Sequence, residues 1–228
     1  DIPLVSSPMD TVTDYEMCLE MDRLGGMGFL HRFQHPDDTA RDIDMFRHQR
    51  PAGTIGASIG VTGDYVNIAQ MYVDNGAQII LLDVAHGHHK LVKEAMGRLK
   101  NEVKGTFDIL VGNIATEEAA RDLCEWGADG LRIGIGGGSL CSTRIQTGVG
   151  IPMVSSILSC AVVADDYDVP CMADGGVRMP ADVCKGIVAG ADTVMLGSLL
   201  SGTKESPGEI TKTGQWPNEI LQKKYRGS

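Results

Sequence analysis

Ile79-Ile80-Leu81-Leu82-Asp83-Val84-Ala85-His86-Gly87-His88-His89 reads as a strand with no polar residue before Asp83, followed by a turn. A strand that is apolar on both faces is covered on both faces, which is the setting of a parallel sheet flanked by helices. Lys90–Val103 has the spacing of an amphipathic helix, and Ile109–Gly112 resumes the apolar run. Strand, helix, strand is the repeating unit of α/β architecture.

The same alternation extends in both directions. Toward the N-terminus the strands are Thr54–Ile59, Gly26–Leu30 and Ile2–Ser6, separated by helical stretches at Gly63–Asn75, Pro36–Arg47 and Thr13–Leu24. Toward the C-terminus Glu117–Trp126 is helical, Gly130–Ile135 a strand, and Val154–Tyr167 a helix after a long loop. Pro170–Ala173, a helix at Ala181–Ala189 and a strand at Thr193–Leu196 complete the series. Eight parallel strands with seven intervening helices predict closure into a (β/α)8 TIM barrel. An open doubly wound sheet is the alternative.

A length of 228 residues with 43% hydrophobic content suits one barrel domain with a sizeable core. The net charge of −10, with no basic stripe, argues against nucleic acid as a partner. No apolar run approaches the ~20 residues of a membrane span. The six cysteines are scattered without a Cys-x-x-Cys pair, which fits a reducing, cytoplasmic setting. Asp1 leads directly into a strand, so the chain is expected to be a fragment.

Asp10, His31, Asp83, Asn113, Cys141, Asp174 and Ser198 each follow the apolar part of a predicted strand. In a barrel that is the carboxyl-end face, where active sites are built. Asp174-Gly175-Gly176 after strand seven and Gly197-Ser198 after strand eight are expected to hold a phosphate through backbone N–H groups. Their plainer reading is as tight turns. Gly134-Ile135-Gly136-Gly137-Gly138-Ser139-Leu140-Cys141-Ser142-Thr143-Arg144 has four glycines in its first five residues and so is not regular structure. A cysteine there, near helix termini and Arg144, is a candidate nucleophile with a lowered pKa, whereas the other five fit packing roles. His86, His88 and His89 allow a zinc reading, but no accompanying Cys or carboxylate cluster supports it, and lining the face is the alternative. His31 and Arg32 are open to either a structural or a functional role. Asp37, Asp38, Asp42 and Asp44 read as a solvated acidic helix face.

Together these motifs resemble the IMP dehydrogenase / GMP reductase family. The resemblance rests on Ser6-Ser7-Pro8-Met9-Asp10-Thr11, Gly25-Gly26-Met27-Gly28-Phe29-Leu30-His31, Gly112-Asn113-Ile114-Ala115-Thr116 and the Cys loop through Gly150. Ala173-Asp174-Gly175-Gly176, Met195-Leu196-Gly197-Ser198, Glu205-Ser206-Pro207-Gly208-Glu209 and Tyr225-Arg226-Gly227 continue it to the end. The resemblance implies that Cys141 attacks purine C2 with Thr143 assisting. It implies substrate contacts from Ser7, Met9, Ser139, Asp174, Gly175, Gly176, Gly197, Ser198, Tyr225 and Gly227. Asp83, Val84, Ala85, Asn113 and Arg132 match the path of the nicotinamide cofactor, NADPH or alternatively NAD. Backbone carbonyls of Gly136, Gly138 and Cys141 match a monovalent-cation site, expected to take K+. The implied substrate is a purine 5′-monophosphate, GMP or IMP, and the implied assembly a homotetramer.

Against that family pattern, residues 1–228 read as a single catalytic barrel domain. The family's N-terminal arm, active-site flap and C-terminal part are expected to fall outside these residues, and no CBS modules are inserted between Arg47 and strand three. Gly137 stands where the family usually has proline, and Met153 where glutamine is common. The missing CBS insertion and the Asp83–His88 stretch favour a GMP reductase, which turns GMP and NADPH into IMP, ammonia and NADP. The alternative is an IMP dehydrogenase, turning IMP, NAD and water into XMP and NADH; a purine-binding relative without turnover is the third reading.

Overall fold

The computed structural model describes residues 1–214 and 219–226. Its strands are β1 (Leu4–Ser6), β2 (Met27–Leu30), β3 (Ile55–Ile59), β4 (Ile79–Asp83), β5 (Asp108–Ile114), β6 (Gly130–Ile133), β7 (Cys171–Asp174) and β8 (Thr193–Leu196). All pair in parallel with their sequence neighbours, and β8 pairs with β1, so the sheet closes into a barrel. The helices are α1 (Tyr15–Arg23), α2 (Pro36–Gln49), α3 (Tyr65–Asp74), α4 (Lys90–Glu102), α5 (Glu117–Glu125), α6 (Thr143–Thr147), α7 (Met153–Asp166) and α8 (Pro180–Val188). The eight-stranded parallel (β/α)8 barrel expected from the alternation is the observed fold, and the open sheet is excluded.

Local signals explain the helix starts. Asp14 and Thr116 accept hydrogen bonds from the amides of Met17 and Ala119, three residues on, which caps α1 and α5. Pro36 opens α2 where its missing N–H costs nothing. The starts of several strands are fixed in a similar way. Gln78, Asp129 and Asp192 accept from the amides of Ile55, Ile109 and Cys171, each at the entry of the neighbouring strand.

Two apolar layers hold the barrel. Val5, Phe29, Leu81, Met172 and Met195 fill its interior, with Met27, Ile79 and Leu110 packed against them. A second, larger cluster lies between strands and helices, with Ile43, Phe46, Leu99, Leu123 and Ile157 among its fully enclosed members. The continuous apolar strands serve both layers at once, which is why they lack alternation.

Four features were not foreseen. The loop after β6 contains the short helix α6, and a two-stranded antiparallel hairpin, β9 (Thr211–Thr213) and β10 (Ile220–Gln222), follows β8. Both are short and exposed, so neither leaves a periodic apolar signal. Cys184, expected to be packed, is exposed on α8. Asp42 is only half-exposed and accepts from Gln34 at 3.1 Å, so the acidic face of α2 is not uniformly solvated. No helix among the described residues is long and apolar enough to cross a membrane.

Candidate active site

Asp83 ends β4, Asn113 lies near the end of β5, and Asp174 ends β7. Parallel strands bring these carboxyl ends to one mouth of the barrel. There a cavity of about 540 Å³ opens, within the size range of small-molecule sites. Beside it a cavity of about 70 Å³ lies between the loops after β7 and β8. Ser7, Met9, Ser139, Asp174, Gly175 and Tyr225 line both.

The floor is a charged brace. Arg132, on β6, is 8% exposed at its side chain. It donates from Nε to Asp174 at 3.0 Å and from Nη1 to Asp83. Burial alone would push this guanidinium's pKa down, but the Asp174 and Asp83 carboxylates outweigh that and hold it above its ordinary value. Asn113 donates from Nδ2 to Asp174 at 2.8 Å and to the Gly134 carbonyl at 2.7 Å. Both bonds to Asp174 fall on Oδ2, so Oδ1 has no hydrogen bond among the described residues. One carboxylate oxygen is thus fixed in place and its partner is left for a ligand.

The Cys loop closes over this floor. Gly175 has φ +98°, and a Cβ there would lie 3.0 Å from the Gly138 nitrogen. Only glycine lets the loop after β7 meet the Cys loop so closely. Cys141 is exposed, and its thiol donates to Thr143 Oγ1 at 3.2 Å. Four of the remaining five are buried, and burial pushes their thiols up, Cys160 to about 12. Arg144 does not face Cys141 as expected. Its guanidinium donates to the Ile151 carbonyl at 3.0 Å and closes the base of the loop.

In the smaller cavity Gly176, Gly197 and Ser198 converge from the two glycine turns, as the phosphate reading requires. Arg178, two residues past Gly176, lines the same space and was missed. Its signal was available: a basic residue directly after a paired-glycine turn. Val84, Ala85, Gly136, Gly138 and Thr143 line the larger cavity, as do Arg32 and Phe33. Arg32 approaches Asp83 at 3.5 Å, whereas His31 is buried and accepts from the Phe33 amide. Burial pushes the His31 pKa down, opposed by Asp10 and Asp42. Every residue that the family resemblance implies for the site therefore lines one of two adjoining cavities, except Gly227, which lies outside the described residues; Asp10 and His31, expected on the same face, line neither.

The histidines after β4 separate. His88 bonds Asp122 at 2.8 Å, His89 caps α4 by accepting from the Leu91 amide, and His86 is exposed. Among the described residues no three His, Cys, Asp or Glu side chains are grouped to hold a metal.

The family model for the IMP dehydrogenase / GMP reductase domain matches residues 1–228. The chain belongs to this family. It is 36% identical to an inosine-5′-monophosphate dehydrogenase of Cryptosporidium parvum, over 99% of this chain and 65% of that protein. It is 50% identical to a GMP reductase of Leishmania major, over 68% of this chain and 32% of that protein. An inosine-5′-monophosphate dehydrogenase of Rhodopirellula baltica is 44% identical over 75% of this chain and 33% of that protein. The chain thus spans 65% of the first of these relatives and about a third of the other two. Both activities occur among relatives of the chain, and Gly137 and Met153, two of the positions expected to depart from the family pattern, are neighbours in space. A Cβ on Gly137 would lie 3.2 Å from Met153 Cγ.

Proposed function

We propose that this chain forms the catalytic barrel of a purine 5′-monophosphate oxidoreductase, and that its reaction is the reduction of GMP to IMP. The observation that carries the reading is the exposed Cys141 thiol, 3.2 Å from Thr143, beside a larger cavity and an adjoining smaller one lined by Gly175, Gly176, Gly197 and Ser198. The phosphate occupies the smaller lobe, against Gly176, Gly197, Ser198 and Ser139, with Gly175 shaping the turn and Tyr225 and Gly227 closing it. Asp174 takes the ribose hydroxyls, while Ser7 and Met9 pack against ribose and base. The purine then extends toward Cys141.

The Cys141 sulfur adds as thiolate to C2, and the 2-amino group leaves as ammonia once protonated. Hydride delivery to C2 then expels the thiolate and gives IMP. Nucleophilic catalysis splits one difficult substitution into two steps. NADPH supplies the hydride, and the remaining cavity next to Asp83, Val84, Ala85 and Asn113 has room for a nicotinamide. Arg132 braces this region from below.

A monovalent cation fits less well. The Gly138 carbonyl already accepts from the Cys141 amide at 3.1 Å, and Arg144 packs against Gly136. No step is assigned to such an ion. A homotetramer is supported by the apolar outer edge of α7, where Val154, Leu158 and Val162 are exposed. Six free cysteines suit the cytoplasm.

The dehydrogenase reading is favoured by one comparison: the match to the Cryptosporidium enzyme covers 99% of the chain, against 68% for the Leishmania reductase. The 50% identity to the latter supports reduction. Purified whole protein assayed with GMP and NADPH, and separately with IMP and NAD, decides between them. Consumption of IMP and NAD alone defeats the reductase reading.

A further inference from the structure

Tyr225 lines both lobes of the cavity, yet the segment that carries it contributes little apolar packing. Every residue of β9 and β10 is exposed, so the hairpin has no core of its own to fix its course. Two polar anchors flank Tyr225 instead. On one side Arg226 pairs with Asp10, and the Arg226 carbonyl accepts from Thr11 at 3.2 Å. That arginine is 72% exposed, which makes its ion pair a weak tether.

The other anchor is of a different kind. The half-buried Lys223 directs its ammonium into a ring of backbone oxygens, donating to the carbonyls of Thr203 at 2.9 Å, Lys204 at 3.1 Å and Ser206. Ser206 Oγ lies 3.3 Å away, and its single proton is shared between the Ser201 and Thr203 carbonyls at 2.8 and 2.9 Å. Ser201 and Ser206, which help hold the ring, are buried. The Lys223 ammonium makes no ion pair among the described residues; its charge is met by carbonyl dipoles. The turn that supplies them is the one that begins at Gly197 and Ser198, since the amides of Leu200 and Ser201 donate back to the Gly197 carbonyl. Tyr225 in turn reaches back to the start of that turn. Its hydroxyl is 4.0 Å from Met9 Sδ and 3.3 Å from where a Cβ on Gly197 would stand.

We propose that Lys223 is a positioning residue for nucleotide binding. Its ammonium, seated in the carbonyl ring of the turn after β8, sets Tyr225 over the phosphate lobe. The proposal rests on the reading of that lobe as the phosphate site. Lys224, one residue on and exposed, has no such partners and serves as the control.

The test uses the whole protein with Lys223→Ala, Lys223→Met, Lys224→Ala, Tyr225→Phe and the double variant Lys223→Ala/Tyr225→Phe. Affinity is measured for GMP and for guanosine, with folding checked by circular dichroism and amide exchange followed over 219–226. Both Lys223 variants are expected to bind GMP about tenfold more weakly, the size of one lost charge-assisted hydrogen bond acting through Tyr225. Guanosine affinity and Lys224→Ala are expected to stay at wild-type values. Ammonium chloride is expected to restore GMP affinity in Lys223→Ala, because a free ammonium ion fits the vacated ring, whereas choline chloride does not fit and is expected to do nothing. The double variant is expected to be no weaker than Lys223→Ala, because two groups acting in one unit are not additive. Additive losses, or equal losses for GMP and guanosine, overturn the positioning role. Unchanged exchange over 219–226 in a folded Lys223→Met protein overturns the anchor itself. A silent Tyr225→Phe with raised exchange in Lys223→Ala instead overturns the phosphate reading of Tyr225, and the proposal with it.

Discussion

Arg132 and Asp174 lie 42 residues apart in sequence and meet inside the barrel mouth, Nε to Oδ2 at 3.0 Å. The contact joins β6 to β7 at the mouth of the barrel. Because Arg132 also holds Asp83, one cation neutralises two inward-facing carboxylates. Removing it leaves Asp174 with Asn113 alone and Asp83 with only the more distant Arg32, both in a half-buried place. Arg132→Met is therefore expected to destabilise the protein by about 3–5 kcal/mol, the range for breaking a buried ion pair on one side. Urea unfolding monitored by circular dichroism measures it. A loss below about 1 kcal/mol would mean that water relieves the two carboxylates.

The smaller cavity makes a separate prediction. If this lobe takes the phosphate as proposed, a purine 5′-monophosphate is expected to bind about a hundredfold more tightly than its nucleoside. Ser198→Ala removes one donor and is expected to cost about tenfold for GMP and nothing for guanosine. Calorimetric titration with both ligands checks this. Equal affinities place the phosphate elsewhere.

The barrel was legible because each of its strands is buried on two sides. Ile80, Leu81 and Leu82 are all fully enclosed, as a parallel sheet covered on both faces requires, and eight such strands point to closure. The site was legible because its polar residues stand at strand ends, where a parallel sheet gathers them. What escaped was set by contacts distant in sequence. That Arg132 would be a brace under the site depends on Asp83 and Asp174 converging on it. That Lys223 would seat in a carbonyl ring depends on the turn at Thr203–Ser206. Arg144 lies three residues from Cys141, yet its direction was decided by the Ile151 carbonyl on the returning strand of the loop. Neighbourhood along the chain was a poor guide there.

Thiol reactivity follows from burial. Cys18, Cys124, Cys160 and Cys171 are enclosed and hold their protons, while Cys141 and Cys184 face solvent. Brief treatment of the folded protein with iodoacetamide near neutral pH is expected to modify these two and no other. Peptide mass mapping reads the sites. A nucleotide is expected to protect Cys141 and leave Cys184 as reactive as before, since Cys184 lies on α8 outside both cavities. Labelling of Cys171 would show that the barrel opens under these conditions.

Gly137 and Met153 test how the Cys loop is fitted to its support. A Cβ at Gly137 would meet Met153 Cγ at 3.2 Å and Sδ at 3.3 Å, tight enough that the thioether must shift. Gly137→Ala is expected to cost about 1–3 kcal/mol, as overpacking does. Met153→Ala removes the obstacle, so the double variant is expected to lose less than the sum of the two single losses. Urea unfolding of all four proteins gives the coupling. Strict additivity would mean that the loop moves as a body away from α7.

Cys141→Ala bears on the chemistry most directly. Purine C2 is a weak electrophile in an aromatic ring, and neither hydride nor water displaces its substituent readily. A thiolate adding there makes C2 tetrahedral, and loss of ammonia or transfer of hydride becomes accessible from that state. Among the described residues Cys141 is the exposed thiol at the cavity, with Thr143 on its sulfur. On the proposed reading most phosphate and ribose contacts come from the loops after β1, β7 and β8, with Ser139 the contact from the Cys141 loop itself. The variant is therefore expected to lose turnover by about 10⁴-fold or more while its affinity for GMP changes less than about threefold. Steady-state rates with GMP plus NADPH and with IMP plus NAD, beside calorimetric binding of GMP, give the comparison. Cys184→Ser, remote from both cavities, is the matched control and is expected to keep wild-type rates. Residual turnover within a hundredfold of wild type in Cys141→Ala would show that no covalent adduct at Cys141 carries the reaction. Loss of GMP binding in step with rate would show instead that the thiol holds the loop rather than attacking the base.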